Sequence, residues 1–191
     1  MSTIVRPAVV LFAALTVICG VMYPLATTGI GKLAFSHQVD GSIIERDGKP
    51  VGSTLIGQSF TSPRYFWGRP SATTPMANNG AGSGGSNLGP SNPALVDAVK
   101  GRIAALKEAD PDNTTAIPVD LVTASGSGLD PEISLAAAVY QARRVARVRG
   151  LPLAQVENTI ARLQKTAYIG FFGEPRVNVL ELNLALDAAQ K

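Results

Sequence analysis

Hydrophobic and polar positions divide the chain into an apolar start and a patterned remainder. No charged residue occurs between Arg6 and Lys32, and the run "PAVVLFAALTVICGVMYPL" lies within this stretch. A helix needs roughly 20 apolar residues to cross a membrane, whereas a signal peptide has an apolar centre of about 7–15 residues followed by a small-residue cleavage site. The match of "YPLATTG" to such a site is poor, so the pattern favours an uncleaved membrane helix at about 7–28 over a signal peptide. Pro24 is expected to kink or end this helix.

The polar stretch after this segment predicts short strands and turns. Asp47-Gly48 is a turn signal that favours a hairpin, and two β-prone runs flank Thr61-Ser62-Pro63 in "TLIGQSFTSPRYFWGRPSA". From Thr73 to Asn92 the sequence consists mainly of Gly, Asn, Ser and Pro. This composition indicates a long loop.

Helical periodicity dominates the rest of the chain. Ser91 or Asn92 followed by Pro93 is a typical helix start, and that helix is expected to end before Asp110. "IPVDLVTASGSG" predicts a buried strand. Asp130-Pro131-Glu132 repeats the pattern of a cap followed by proline and predicts a second helix, with Leu135, Val139, Ala142 and Val145 on its apolar stripe.

Three further signals bound the last helices. Gly150 is a typical left-handed residue at the end of the second helix, and Leu151-Pro152 predicts the start of a third. Asn178 with Glu181 three positions later has the spacing of a capping box, which favours a helix over a strand for the tail. The predicted fold is therefore α+β: one N-terminal transmembrane helix followed by one mixed domain.

Composition narrows the possible chemistry. The chain has 191 residues, 46% hydrophobic and 16% charged, with one cysteine, one histidine and a net charge of +3. Cys19 lies in the apolar segment and His37 just beyond it, so Ser-His-Asp triads and His-rich metal sites are not expected. The carboxylates are scattered singly, and we predict neither catalytic nor metal-binding residues.

One basic cluster stands out near the end of the second predicted helix: Arg143, Arg144, Arg147 and Arg149. Cations at a helix C-terminus stabilise the helix dipole, and the alternative is an anion or partner site. A charge of only +3 and a membrane anchor disfavour nucleic-acid binding.

Gly80, Gly82 and Gly85 have the G-x-G-x-x-G spacing of a dinucleotide-binding loop. Such a loop follows a strand directly and opens a helix at its last glycine, but here Leu88-Gly89-Pro90 still separates the glycines from the helix at Pro93. No Gly-Lys-Ser/Thr is present either. The spacing is therefore a weak indication of a nucleotide site.

Several longer motifs occur together in one order: "GQSF" at 57–60, "YFWGRPSA" at 65–72, "SGGSNLGPSN" at 83–92, "TASGSGLDPEIS" at 123–134 and "VNVLELNLALD" at 177–187. With the single apolar helix and the chain length, they resemble the C subunit of the Kdp-type potassium-transporting ATPase. One position departs from the family pattern, because Glu132 stands where the family usually has His. This puts in doubt any role there that needs an imidazole.

The resemblance implies a bacterial inner-membrane subunit with a cytoplasmic N-terminus, an anchor at 1–34 and an extracytoplasmic domain at 35–191 that contains the loop at 73–92. Its implied partners are a channel-like potassium-translocating subunit, a P-type ATPase subunit and a very small membrane peptide. The implied role is assembly and catalytic chaperoning that raises the ATP affinity of the ATP-hydrolysing subunit. The implied cofactor is none bound tightly, with ATP met through the complex.

Three groups of candidate residues complete the prediction. Candidates for the partner interface are Tyr65, Phe66, Trp67, Asn87, Ser125 and Asp130. Small residues that let the membrane helix pack closely are Ala13, Ala14 and Gly20. The alternative function, direct nucleotide binding on the cytoplasmic side, would use Ser83, Gly84, Gly85, Ser86 and Asn87.

Overall fold

The computed structural model describes residues 2–167, 169–170 and 172–190. The chain divides into two compact units, residues 1–43 and 44–191. The first is helical, and the second combines helices with short strands, which confirms the predicted α+β class.

The first unit is dominated by one long helical run. It comprises α1 (Ser2–Val17), a π-helical turn (Ile18–Met22) and α2 (Tyr23–Ala34), and a short helix α3 (Ser36–Val39) follows. The stretch Thr3–Ala34 is long and apolar enough to cross a membrane. The helix extends beyond the predicted 7–28 at both ends.

Pro24 does not end the helix. Proline lacks an N–H, and its ring crowds the preceding turn of helix. In this chain the preceding turn is a wider π-helical turn, in which Tyr23 N donates to the carbonyl of Ile18, five residues back. Thr27 Oγ1 donates to the carbonyls of Tyr23 and Pro24, at 3.0 and 3.1 Å. Helical hydrogen bonding therefore resumes within one turn of the proline.

The predicted hairpin is confirmed. Strands β1 (Ile43–Arg46) and β2 (Lys49–Ser53) pair across Asp47 and Gly48, whose φ angles are 53° and 70°. Two consecutive positive φ angles define a turn whose twist matches that of the paired strands. The hairpin is held to the domain by Gln58 Nε2, which donates to the carbonyl of Val51 at 2.8 Å.

Residues 54–92 form neither helix nor strand, so the prediction of two β-strands around Pro63 is wrong. The loop predicted at 73–92 lies inside this region. It leads into α4 (Pro93–Ala109), where Asn92 Oδ1 accepts the N–H of Ala94 at 3.0 Å, as the sequence predicted.

Two predictions fail between α4 and the next helix. The expected strand at "IPVDLVTASGSG" contains only a 3₁₀ turn (Val119–Leu121). Residues 132–134, predicted as helix, form strand β3 (Glu132–Ser134), and α5 (Leu135–Arg149) begins after it, with Ser134 as the N-cap. The reason is a distant partner, because β3 pairs antiparallel with β4 (Arg176–Asn178) and Ile133 lies opposite Val177.

The remaining helix ends agree with the sequence. Gly150 ends α5 in the left-handed conformation at φ 66°, and α6 (Leu153–Leu163) follows Pro152. Asn178 caps α7 (Val179–Ala188) by accepting the N–H of Glu181 at 3.0 Å.

Helix α5 lies at the centre of the second unit. Nine of its 15 residues are buried, against one of 17 in α4, so α5 organises the core and α4 lies at its margin. The predicted stripe needs one correction, since Val139 is 51% exposed. The core also takes in residues from α6, α7 and both strands of the second sheet: Ile133, Val156, Ile160, Val177, Val179, Leu182 and Leu186.

Candidate functional site

We call residues 63–69 the aromatic segment. In a β-strand the backbone N–H and C=O groups bond the backbone of a neighbouring strand, but in this segment they bond side chains. Asn183 Oδ1 accepts the N–H of Phe66 at 2.8 Å, and Asn183 Nδ2 donates to the Phe66 carbonyl at 3.0 Å. Gln141 bonds the N–H and carbonyl of Trp67 in the same way, at 2.9 and 3.1 Å. Both amides are 1% exposed. Two successive residues are thereby fixed to α5 and α7.

Arg144, which also lies on α5, bonds the residues just before Phe66. We call Gln141, Arg144 and Asn183 together the clamp. Arg144 Nη1 donates to the carbonyls of Pro63 and Tyr65, its Nη2 donates to Gln141 Oε1 at 2.7 Å, and its guanidinium carbon lies 4.7 Å from the centre of the Trp67 ring. The side chain is 2% exposed. Burial lowers the pKa of Arg144 to about 10, although Asp110 and Tyr140 oppose this shift. Arg144 is still a cation at neutral pH.

A second buried arginine holds the other end of the segment. Arg149 Nε donates to the Arg64 carbonyl at 2.7 Å, and its Nη1 lies 2.9 Å from Asp187 Oδ1. The same guanidinium lies over the Tyr65 ring at 4.9 Å, and the Tyr65 hydroxyl donates to Asp187 Oδ2 at 3.3 Å. The predicted basic cluster is thus divided. Arg144 and Arg149 are buried and bond the aromatic segment, whereas Arg143 and Arg147 are exposed.

The predicted interface residues therefore occupy unlike environments. Phe66 is 0% exposed and Ser125 is 3% exposed, so neither side chain can form an exposed contact surface, and that part of the prediction needs correction. Tyr65 and Trp67 are half-buried, and Asn87 is exposed with a φ of 50°. Burial of Phe66 is the anchor that positions its two aromatic neighbours.

The glycine-rich loop and the residues before it are hydrogen-bonded to residues 127–128. Gly84 N donates to the Ser127 carbonyl at 2.8 Å, and Ser83 Oγ donates to the same oxygen at 3.0 Å. Ser71 Oγ donates to the Gly128 carbonyl at 2.6 Å. A Cβ on Gly85 would lie 3.0 Å from the Gly126 carbonyl oxygen. Glycine is favoured here because two backbone segments pass close together.

These contacts bear on the candidate nucleotide residues. Of the five, Ser83, Gly84 and Gly85 face the 126–127 backbone, and the Gly84 N–H that could cradle a phosphate is already bonded to Ser127. Ser86 and Asn87 are exposed. The structure gives the loop a packing role within the domain.

Asp130 and Glu132 have structural partners. Asp130 Oδ2 lies 3.1 Å from Arg69 Nη1, and Asp130 Oδ1 accepts the N–H of Glu132 at 3.0 Å. Glu132 bonds Lys165 Nζ at 3.1 Å and Arg176 Nε at 2.6 Å. The Glu132 carboxylate lies between two cations, and it connects β3 to Lys165 and to Arg176 of β4.

The candidate packing residues of the N-terminal helix, Ala13, Ala14 and Gly20, are exposed. Gly20 lies in the π-helical turn, and a Cβ there would meet nothing within 4 Å. Their role in packing stays a prediction.

Sequence reasoning did not single out Gln141 or Asn183, and it placed Arg144 in the basic cluster without predicting its bonds to the aromatic segment. The only available signal was a polar residue at a position that periodicity assigns to the buried side. Arg144 adjoins the predicted stripe position Val145, and Asn183 lies among the leucines of α7. A buried polar group needs a partner, but the sequence does not name it.

Replacing Arg144 should destabilise the domain far more than replacing its neighbour. We expect Arg144→Met to lower the free energy of unfolding by about 2–5 kcal/mol, because it leaves the Pro63 and Tyr65 carbonyls without their donor. The exposed Arg143→Met should change it by less than about 0.5 kcal/mol. Urea unfolding of the full chain in detergent, followed by the fluorescence of its single tryptophan, tests this; equal effects of the two variants would contradict the clamp.

Gly128→Ala should loosen the glycine-rich loop. Gly128 has a φ of 66°, and a Cβ there would lie 2.6 Å from the Gly84 carbonyl oxygen. We expect a loss of about 2–4 kcal/mol and faster hydrogen exchange at the Gly84 amide. Gly126→Ala, where a Cβ meets nothing within 4 Å, is the control. Unchanged exchange in Gly128→Ala would show that the loop does not depend on this contact.

Comparison with known proteins identifies the family. The family model described as "K+-transporting ATPase, c chain" matches residues 5–188. The chain is 68% identical over 187 residues to the potassium-transporting ATPase KdpC subunit of Herminiimonas arsenicoxydans, covering 98% of each chain. It is 67% identical to the KdpC subunit of Janthinobacterium sp. (strain Marseille), covering 98% of this chain and 99% of the relative, and 60% identical to that of Dechloromonas aromatica over the whole of both chains. The resemblance seen in the sequence motifs is confirmed: the chain belongs to the KdpC family of K+-transporting ATPase subunits.

Proposed function

We propose that the chain is a non-catalytic accessory subunit that stabilises a potassium-uptake ATPase and raises the ATP affinity of its ATP-hydrolysing subunit. The observation that carries this proposal is the clamp on the aromatic segment. Gln141, Arg144 and Asn183 direct their polar atoms to backbone groups of the chain itself, and the result is a fixed surface bearing Tyr65 and Trp67. Such an arrangement suits binding, because the presented residues are ordered before a partner arrives.

The membrane helix supplies the second part of the proposal. We place the N-terminus in the cytoplasm, the helix as an uncleaved anchor in the bacterial inner membrane, and the second unit outside. The partners are a channel-like potassium-translocating subunit, a P-type ATPase subunit that carries catalysis, and a very small membrane peptide. Ala13, Ala14 and Gly20 would allow close packing against their helices.

This orientation constrains how ATP affinity can change. ATP is a cytoplasmic ligand, so an external domain acts on it only through coupling between sites, which is typically about 1–3 kcal/mol. The bonding of Gly84 N to Ser127 supports an indirect effect, since it occupies a donor that a phosphate would need.

The assembly proposal can be tested with the full chain carrying a C-terminal tag. In mild detergent it should recover the channel-like and ATPase subunits from native membranes. Gly20→Leu should lower that recovery by about threefold or more, because a large side chain separates packed helices. Val9→Leu, at another exposed position of the helix, is the control. Recovery of neither subunit by the unaltered chain would refute the accessory role.

Orientation is tested by cysteine labelling. Ala104 is exposed on α4, so Ala104→Cys in a Cys19→Ala background provides one reactive thiol in the second unit. We expect a membrane-impermeant maleimide to label it in intact cells. Labelling that occurs only after lysis would place the domain in the cytoplasm and favour direct nucleotide contact by Ser83–Asn87.

A further inference from the structure

A cleft of about 430 Å³ lies between α4 and the segment 58–71. Its volume falls within the range of about 300–1,000 Å³ that is usual for ligand sites. Its apolar lining consists of Phe60, Trp67, Ala77, Ala105, Leu106 and Leu121. Trp67, which the clamp fixes, is thus also a wall of the cleft.

The charge of the lining is positive. Arg69 and Arg102 are its charged members, and no aspartate or glutamate is among the residues that line it. Asp130 pairs with Arg69 Nη1, but Arg69 Nε is buried and has no hydrogen-bond partner among the described residues. Arg102 is exposed on α4. An occupant that carries a carboxylate would complement this charge.

The backbone along one side of the cleft also lacks partners. Within the described part of the chain, the N–H groups of Ser59, Phe60 and Thr61 make no hydrogen bond, although the segments before and after them are bonded. Unpaired backbone groups beside an apolar groove are what an added peptide strand uses, with its side chains filling the groove. A lipid chain would offer these donors no acceptor, whereas the carbonyls of a peptide would.

We infer that this cleft binds a peptide segment of a partner subunit, with an apolar side chain on Phe60, Trp67 and Leu106 and a nearby carboxylate directed to Arg102. The carbonyls of this peptide accept hydrogen bonds from residues 59–61. The inference rests on the proposed accessory role and adds to it the chemistry of the docking segment.

Photo-crosslinking in the assembled complex tests the inference. Ala105 lines the cleft, and Ala104 is its exposed neighbour on the same helix outside the lining. With p-benzoylphenylalanine at position 105 of the full chain in native membranes, we expect a crosslink to a subunit of the potassium ATPase, within a segment that has Asp or Glu close to an apolar residue. Position 104 should crosslink at least about fivefold less.

A charge variant gives an independent readout. Arg102→Glu, at an exposed position that should not affect folding, should reduce the crosslink from position 105 by about three- to tenfold. Lys100→Glu, on the same helix and outside the cleft, should leave it unchanged. Hydrogen exchange at residues 59–61 should slow on assembly in the unaltered chain.

The outcomes separate the two proposals. Any of three results would refute the peptide site: equal crosslinking yields at 104 and 105, a crosslink only to lipid, or amides at 59–61 that stay unprotected on assembly. The accessory role would then still be decided by the recovery of the subunits. A crosslink from 105 only to a protein outside the ATPase, with the subunits still recovered, would refute the assignment of the cleft to a partner subunit and leave the accessory role intact. No crosslink from 105, with subunits still recovered, would refute the inference alone.

Discussion

The second unit depends on one constraint: a segment without secondary structure crosses its core, and buried side chains must bond its backbone. Buried N–H and C=O groups are costly when unpaired, at about 1–3 kcal/mol each. Asn183 and Gln141 pair both groups of Phe66 and Trp67, and Arg144 takes the carbonyls that precede them. Without these three polar residues, the burial of Phe66 would leave its own backbone unsatisfied.

The same constraint explains why two arginines lie inside the second unit. A buried guanidinium normally costs more than it returns, unless every donor has an acceptor. Arg144 meets this condition, since it is bonded to two carbonyls and an amide and lies against the Trp67 ring. Arg149 meets it only in part, because its Nε and Nη1 are bonded to the Arg64 carbonyl, Asp187 and Gln190 while its buried Nη2 has no partner among the described residues. Because burial lowers the pKa of Arg144 only to about 10, the clamp keeps its charge throughout the physiological range.

Features encoded within a few residues were predictable, and those encoded by distant partners were not. Asn92-Pro93, Gly150 and Asn178 act through their own turn of helix, and each was placed correctly. Asp130-Pro131 resembles a helix start, but pairing with residues 176–178 makes the next three residues a strand. The aromatic segment is β-prone because of its aromatic residues, and its backbone is indeed paired, yet its partners are side chains 74 and 117 positions away.

Candidate-site residues follow the same division. Tyr65 and Trp67 could be proposed from the sequence because adjacent large aromatic residues are candidates for a contact surface. The burial of Phe66 between them depends on how α5 and α7 pack, which the sequence does not show. The cleft could not be predicted at all, because it joins residues 58–61 to the marginal helix α4. Its wall at Trp67 is fixed by Gln141 and Arg144 during folding. Binding therefore does not have to order that wall, and selectivity must come from the other side of the cleft, where the exposed Arg102 projects from a helix with one buried residue.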